Sequence, residues 1–220
     1  SHPAIKISKD GKHIASAEHS FPGQVAEVLL WDFEKREIKH RFKLHKNSVT
    51  SLAFSPDSRL LASQGCLEDK YASSYSENAG DLGRLEWQEP LRSSQQVGVN
   101  EILFFNNDST RLIAVQHNGI QILTIDQLYK KILSLNANFG NVKRQFTYAA
   151  IDYNDAYVYC GTKTGDIFEV NIEKAIYKRV GPVKRLFSLG ISAIRILPNG
   201  DLIVGTGEGK LARISIQNMN

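Results

Sequence analysis

The chain has 220 residues, 42% of them hydrophobic and 23% charged, with a formal net charge of +4. That composition excludes a disordered polypeptide, and the length allows one large domain or two small ones. The mild basic balance favours an acidic partner but falls far short of the charge density of a dedicated nucleic-acid binder.

The first predicted element is "AIKIS" (4–8), followed by "EVLLWDF" (27–33), "VTSLAFS" (49–55) and "RLLAS" (59–63). "GIQILTI" (119–125) and "DLIVG" (201–205) continue the series. All are short, alternating and rich in β-branched residues, which predicts strands. Asp-Gly, Pro-Asp, Asn-Asp and Pro-Asn-Gly turn signals separate them in "SKDGKH", "SPDSRL", "NNDSTR" and "LPNGDL". "IDQLYKKILSL" (125–135) is the best helix candidate, but its apolar positions also fit strand, turn and strand, and that reading is preferred.

Self-comparison organises these strands. "IKISKDGKHIAS" (5–16) aligns with "LAFSPDSRLLAS" (52–63) at an offset of 47 residues. "LFFNNDSTRLIAV" (103–115) repeats the pattern with one extra turn residue, and "IRILPNGDLIVGTGEG" (194–209) repeats it again. "YAAIDYNDAYVYCGTKTG" (148–165) is a weaker copy. A period of about 40–50 residues carrying several short strands is the signature of a propeller blade array. The glycine pairs Gly161/Gly165 and Gly205/Gly209 lie 44 residues apart, at one turn of the repeated unit. A phosphate loop requires a helix after it, whereas "DIFEV" and "KLARI" are strands, so both pairs are read as β-turns.

"LHKNSVTSLAFSPDSRLLAS" (44–63), preceded by Trp31-Asp32, resembles a WD-repeat protein. The resemblance implies blades of four antiparallel strands, with Trp-Asp closing the third. It also implies a stabilising set of a His before the first strand, a Ser or Thr on the second, a turn Asp and a Trp. His45 and Ser63 match two positions, Trp87 is a possible fourth, and no Asp is placed. His45, Ser63 and Asp69 could be assembled into a hydrolase triad, but the blade pattern alone accounts for their spacing.

"GTKTGDIFEVN" (161–171) with "VGPVKRLFSLGISAIRILPNGDLIVGTGEGKL" (180–211) is similar to one WD-repeat group, the cilia- and flagella-associated protein 52 family. "VLLWDFEKREIKHRFKLHKNSVTSLAFSPDSRLLAS" (28–63) matches in the same register. The resemblance implies a structural, non-enzymatic microtubule inner protein without cofactor or small-molecule substrate. Its partners would be tubulin in the lumen of ciliary and flagellar doublet microtubules and neighbouring inner proteins of the axoneme, with no nucleic acid and no membrane. A cytosolic WD-repeat scaffold is the alternative, and a nucleotide-binding propeller using the glycine turns is a third.

The expected architecture is all-β, about four and a half blades of a seven-bladed propeller: 4–48, 49–96, 97–144, 145–190 and a truncated 191–220. A whole seven-bladed propeller needs about 300 residues, so a fragment is expected. Residues 64–98 depart from the pattern and are expected to be an insertion or an interruption, with one candidate strand, 84–87, and with Tyr71 and Tyr75 as candidate contacts.

Basic residues cluster at Lys35, Arg36, Lys39, Arg41, Lys43 and Lys46, where alternation puts Lys39, Arg41 and Lys43 on one face. Lys174, Lys178, Arg179, Lys184 and Arg185 crowd a second stretch, 173–186, read as a loop and as the candidate partner-binding site. Cys66 and Cys160 are too few for a disulfide scaffold and too far apart for a metal knuckle, so a reducing compartment is expected. With no apolar leader and no run of about 18 apolar residues, a soluble intracellular protein is expected, and the Asn107-Asp108-Ser109 sequon is read as chance. The histidines show no metal-ligand spacing.

Overall fold

The structure, a computed structural model, describes residues 4–17, 25–45, 48–65, 71–78, 81–90, 99–126, 128–129, 131–182 and 187–216. Among them there is no α-helix, and every strand belongs to one of five sheets. The first sheet holds β1 (Ala4–Ile7), β2 (His13–Ala17), β3 (Ala26–Asp32) and β4 (Glu37–His45). The second holds β5 (Val49–Phe54), β6 (Leu60–Gly65), β7 (Tyr71–Asn78) and β8 (Asp81–Pro90). The third holds β9 (Val99–Phe104), β10 (Arg111–Gln116), β11 (Gly119–Asp126) and β12 (Lys131–Asn136). The fourth holds β13 (Phe146–Ile151), β14 (Tyr157–Thr162), β15 (Ile167–Asn171) and β16 (Ile176–Gly181). The last has three strands, β17 (Ile191–Ile196), β18 (Leu202–Thr206) and β19 (Leu211–Ile214). Consecutive strands are neighbours throughout, so each sheet is a meander, the arrangement of a propeller blade.

The turn between the first two strands of each sheet shows why the repeat folds this way. Ser8 and Ser55 open two of these turns, their hydroxyls donating to Asp10 (2.6 Å) and Asp57 (2.5 Å) and accepting from the His13 and Leu60 amides, both at 2.9 Å. The tightest point requires left-handed backbone, supplied by Gly11 (φ 73°), Ser58 (61°), Asp155 (58°) and Gly200 (88°). The third sheet carries the extra turn residue anticipated from sequence, and Phe105 N still donates to Arg111 O at 3.1 Å.

Residues 125–135 form the end of β11, a turn and β12, as the repeat indicated, not a helix. Two differences from expectation are found. Where one strand was anticipated over 84–87, the stretch 64–98 contributes both β7 and β8. Part of the stretch 173–186, expected to be a loop, is strand β16, in which Ile176, Tyr177 and Val180 pair with β15.

The chain packs as two compact units, residues 1–113 with 123–134 and residues 114–122 with 135–220. In the first, Ala15, Ala17, Ala26, Val28, Leu30 and Phe42 of sheet one meet Val49, Leu52 and Leu61 of sheet two. Turn-to-turn bonds reinforce that packing, since the Asp10 amide donates to Ser58 Oγ (3.2 Å) and the Asp57 amide to Ser109 Oγ (3.4 Å). In the second unit, Tyr159 and Ile167 of sheet four are covered by Ile191, Ile194, Leu202 and Val204 of sheet five. Thr147 Oγ1 donates to Ile191 O at 2.6 Å across that seam. A Cβ on Gly161 would overlap Ile191, and one on Gly165 (φ 84°) would overlap the Phe187 carbonyl, so close sheet approach and turn geometry explain this glycine pair.

Candidate functional site

The residues singled out for blade stabilisation fall into two sheets. Between sheets one and two, His45 Nε2, at the end of β4, lies 2.7 Å from Ser63 Oγ on β6, with His45 1% and Ser63 0% exposed. A nucleophilic serine must be reached by substrate, and this one is sealed, so the pair cannot act as a hydrolase. In sheet one, Trp31 Nε1 donates to Ser16 Oγ at 2.9 Å. Asp32 Oδ1 accepts from the Lys35 amide at 3.0 Å and caps the β3–β4 turn, which keeps the carboxyl below its ordinary range. Trp87 sits on β8, and its side chain lies outside the described residues, as does Asp69.

Sheet four carries a fuller network that sequence reading did not assemble. Asp166, on the β14–β15 turn, accepts from Thr162 Oγ1, from Thr164 Oγ1 (2.5 Å) and from Arg144 Nε (2.7 Å). Burial opposes its ionisation, but these donors outweigh it and hold the carboxyl below its ordinary 3.8. Arg144 enters from the segment just before β13. The signal was present in "GTKTGD", a Thr-x-Thr-x-Asp turn, but Arg144 lies 22 residues upstream and is brought in only by the fold.

A second buried cluster joins Tyr159, Glu169 and Arg179. Glu169 has a side chain 2% exposed, accepts from Tyr159 OH at 3.2 Å and pairs with Arg179 Nε. Burial, together with the Glu169 charge, raises the Tyr159 phenol well above its ordinary range.

These contacts sort the candidate basic site. Arg179 is turned inward onto Glu169. Lys178 is the extra residue of a β-bulge, since Val170 faces Tyr177 and Glu169 faces Arg179. Its Nζ lies 4.8 Å over the Tyr157 ring, on the surface. Lys174 is exposed at the β15–β16 turn, which Asn171 Oδ1 caps through the Lys174 amide at 2.8 Å. Lys184 and Arg185 lie outside the described residues. In the first basic cluster, Arg41 (3.1 Å) and Lys43 (3.0 Å) both pair with Glu27, while Lys39 Nζ is 3.1 Å from His13 Nε2.

The turn amides of the glycine pairs are consumed internally, Gly165 N by Thr162 O (3.2 Å) and Gly209 N by Thr206 O (3.0 Å). Neither of these two amides is free to cradle a phosphate. Among the described residues no three His, Cys, Asp or Glu side chains converge as metal ligands, and no helix is long and apolar enough to cross a membrane. An open cavity of about 710 Å³ lies on sheet one, between Ile5, Ile14, Trp31 and Phe33, with Asp32, Glu34 and Arg36 at its rim.

Comparison with known proteins agrees with this geometry. Residues 36–73 match the family pattern described as WD domain, G-beta repeat. The structure is similar to the crystal structure of the Cps50 (Swd1) β-propeller domain of Myceliophteria thermophila, with a TM-score of 0.74 over 93% of this chain and 62% of that one; at 15% identity, the likeness is of fold alone. Cilia- and flagella-associated protein 52 of Chlamydomonas reinhardtii is 33% identical over 207 residues, 94% of this chain and 33% of that protein. The proteins of the same name from Mus musculus (33%) and Homo sapiens (32%) match over 212 residues, again 94% of this chain and 33% of theirs. The chain is therefore a WD-repeat β-propeller homologous to the cilia- and flagella-associated protein 52 family, spanning about a third of the length of the curated relatives it matches.

Proposed function

We propose that this chain is part of a structural microtubule inner protein that binds tubulin within the lumen of ciliary and flagellar doublet microtubules and stabilises the axoneme. The similarity over 94% of the chain to proteins named for cilia and flagella carries this reading. The chemistry of the described surfaces supports it, because the most elaborate polar clusters, around Asp166 and Glu169, are buried and tie strands together. Lys174 and Lys178, by contrast, are exposed cations at the β15–β16 turn and on β16. Such cations steer and orient docking on the acidic surface of tubulin more than they add affinity. No reaction and no cofactor is involved, and neighbouring inner proteins are further partners.

The test is salt extraction of isolated axonemes, following the protein by immunoblot. High salt screens contacts on the outer surface, while the tubule wall protects a luminal protein. Retention until the tubulin lattice dissolves is expected. Release by salt, or absence from axonemes, would overturn the luminal address and favour a cytosolic WD-repeat scaffold.

A further inference from the structure

The turns of sheets four and five correspond residue for residue. In sheet four the Thr162 amide donates to Asp166 O at 3.0 Å and the Lys163 amide to Gln145 O at 2.9 Å. In sheet five the Thr206 amide donates to Lys210 O and the Gly207 amide to Gly190 O, both at 3.0 Å. Phe146 faces Thr162 as Ile191 faces Thr206. Gly190 therefore stands where Gln145 does, Leu189 where Arg144 does, and Lys210 where Asp166 does.

The two sheets use that position differently. Arg144 is tied to the turn carboxylate of Asp166. Leu189 has no polar group to offer and is 67% exposed. The bracing falls instead to its neighbour, since Ser188 donates through its amide (3.1 Å) and its hydroxyl to Glu208, which also pairs with Lys210.

The backbone that carries Leu189 is fixed. A Cβ on Gly207 would overlap the Leu189 carbonyl, and one on Gly190 (φ 81°) would press on the Lys163 backbone. The Gly190 amide closes the turn onto Phe187 O at 3.2 Å, and Phe187 is buried. A large apolar side chain is thus displayed on a rigid tip, so a partner that takes it pays little in ordering. Lys163 beside it is exposed, and Lys210 keeps a side chain 66% exposed, while the Glu208 carboxylate is already engaged.

We infer that Leu189 anchors a protein-docking tip, and that the partner it fits presents an apolar socket ringed by carboxylates. The leucine fills the socket, and Lys163 and Lys210 meet the rim, where charges orient and speed docking. A membrane is not the occupant, because interfacial binding uses a broad apolar face of several side chains, and residues 187–190 expose one.

The test uses the polypeptide as its gene encodes it, purified whole and again in the cell fraction that holds it. Hydroxyl-radical oxidation of Leu189 should fall by roughly threefold or more in that fraction. A carbodiimide, which joins an amine to a carboxylate with loss of water, should link Lys163 or Lys210 to an Asp or Glu of another protein, next to exposed apolar residues. Leu189→Asp should lower that yield by roughly fivefold or more. It should leave the urea midpoint of the purified protein unchanged, which separates docking from folding. Equal oxidation of Leu189 in the two samples would overturn the inference, as would an undiminished yield from Leu189→Asp. So would protection without a link to any carboxylate, links only to a second copy of this chain, or protection reproduced by vesicles of anionic phospholipid alone. These readouts do not depend on an axonemal address.

Discussion

Replacing Asp166 by alanine removes the acceptor of three side-chain donors, Thr162, Thr164 and Arg144. A hydrogen bond to a charged group contributes about 1.5–3 kcal/mol, and bonds sharing one carboxylate do not add. Stranding a buried charge would cost about 3–5 kcal/mol. That upper range does not apply, because Arg144 keeps a side chain 27% exposed and can be hydrated. Thr162 Oγ1 also retains the Asp166 carbonyl at 3.2 Å and Thr164 at 2.9 Å. The expected loss for Asp166→Ala is therefore about 2–3 kcal/mol, and for Asp166→Asn, which keeps the shape and one acceptor, about 1–2 kcal/mol. For a chain of this size the Asp166→Ala loss is a fall in Tm of about 4–12 °C. Urea unfolding followed by far-UV circular dichroism, with an unchanged slope, measures the loss. A double-mutant cycle with Arg144→Met should return a coupling of about 1 kcal/mol or more. A loss under about 0.5 kcal/mol for Asp166→Ala, or no coupling to Arg144, would refute the assignment of this network as a strand tie.

Three further outcomes follow from the geometry. The folded Asp166 carboxyl titrates below its ordinary 3.8, so its contribution is present above that pH and is lost as pH falls through the folded value; the acid limb of the stability curve should be steeper in the parent chain than in Asp166→Asn. Ser63→Ala breaks a buried bond to His45 and should cost about 1–2 kcal/mol in the same urea assay. The double reversal Lys174→Glu with Lys178→Glu should leave stability within about 0.5 kcal/mol. It should slow association with tubulin by roughly threefold or more at low salt, an effect that fades as salt rises; an unchanged rate would remove these lysines from the partner surface.

The all-β class, the repeat and the turns are legible in the amino-acid order because their causes are local. Alternation over five or six residues makes a strand, and "SKDG" or "SPDS" places a hydroxyl, a carboxyl and a left-handed residue within one turn. Trp31 with Asp32 and His45 with Ser63 could be singled out because the resemblance to WD-repeat proteins assigns each a position. Arg144 with Asp166 could not, since the partners are 22 residues apart and no local rule selects an arginine before β13.

The basic stretch 173–186 shows the limit most clearly. Lys174, Lys178 and Arg179 are equivalent cations in composition. A bulge opposite Glu169 and Val170 shifts the register by one residue, turning Arg179 onto buried Glu169 and leaving Lys178 on Tyr157 at the surface. Gly161 and Gly205 likewise read as one turn motif, yet a Cβ on the first would overlap Ile191 of the next sheet, while one on the second would meet Ser192 Oγ at 3.3 Å and Ala193 of its own sheet. Side-chain periodicity and turn chemistry are properties of short segments. Which face is covered, which charge is neutralised and which glycine is crowded are decided by the sheet that packs opposite.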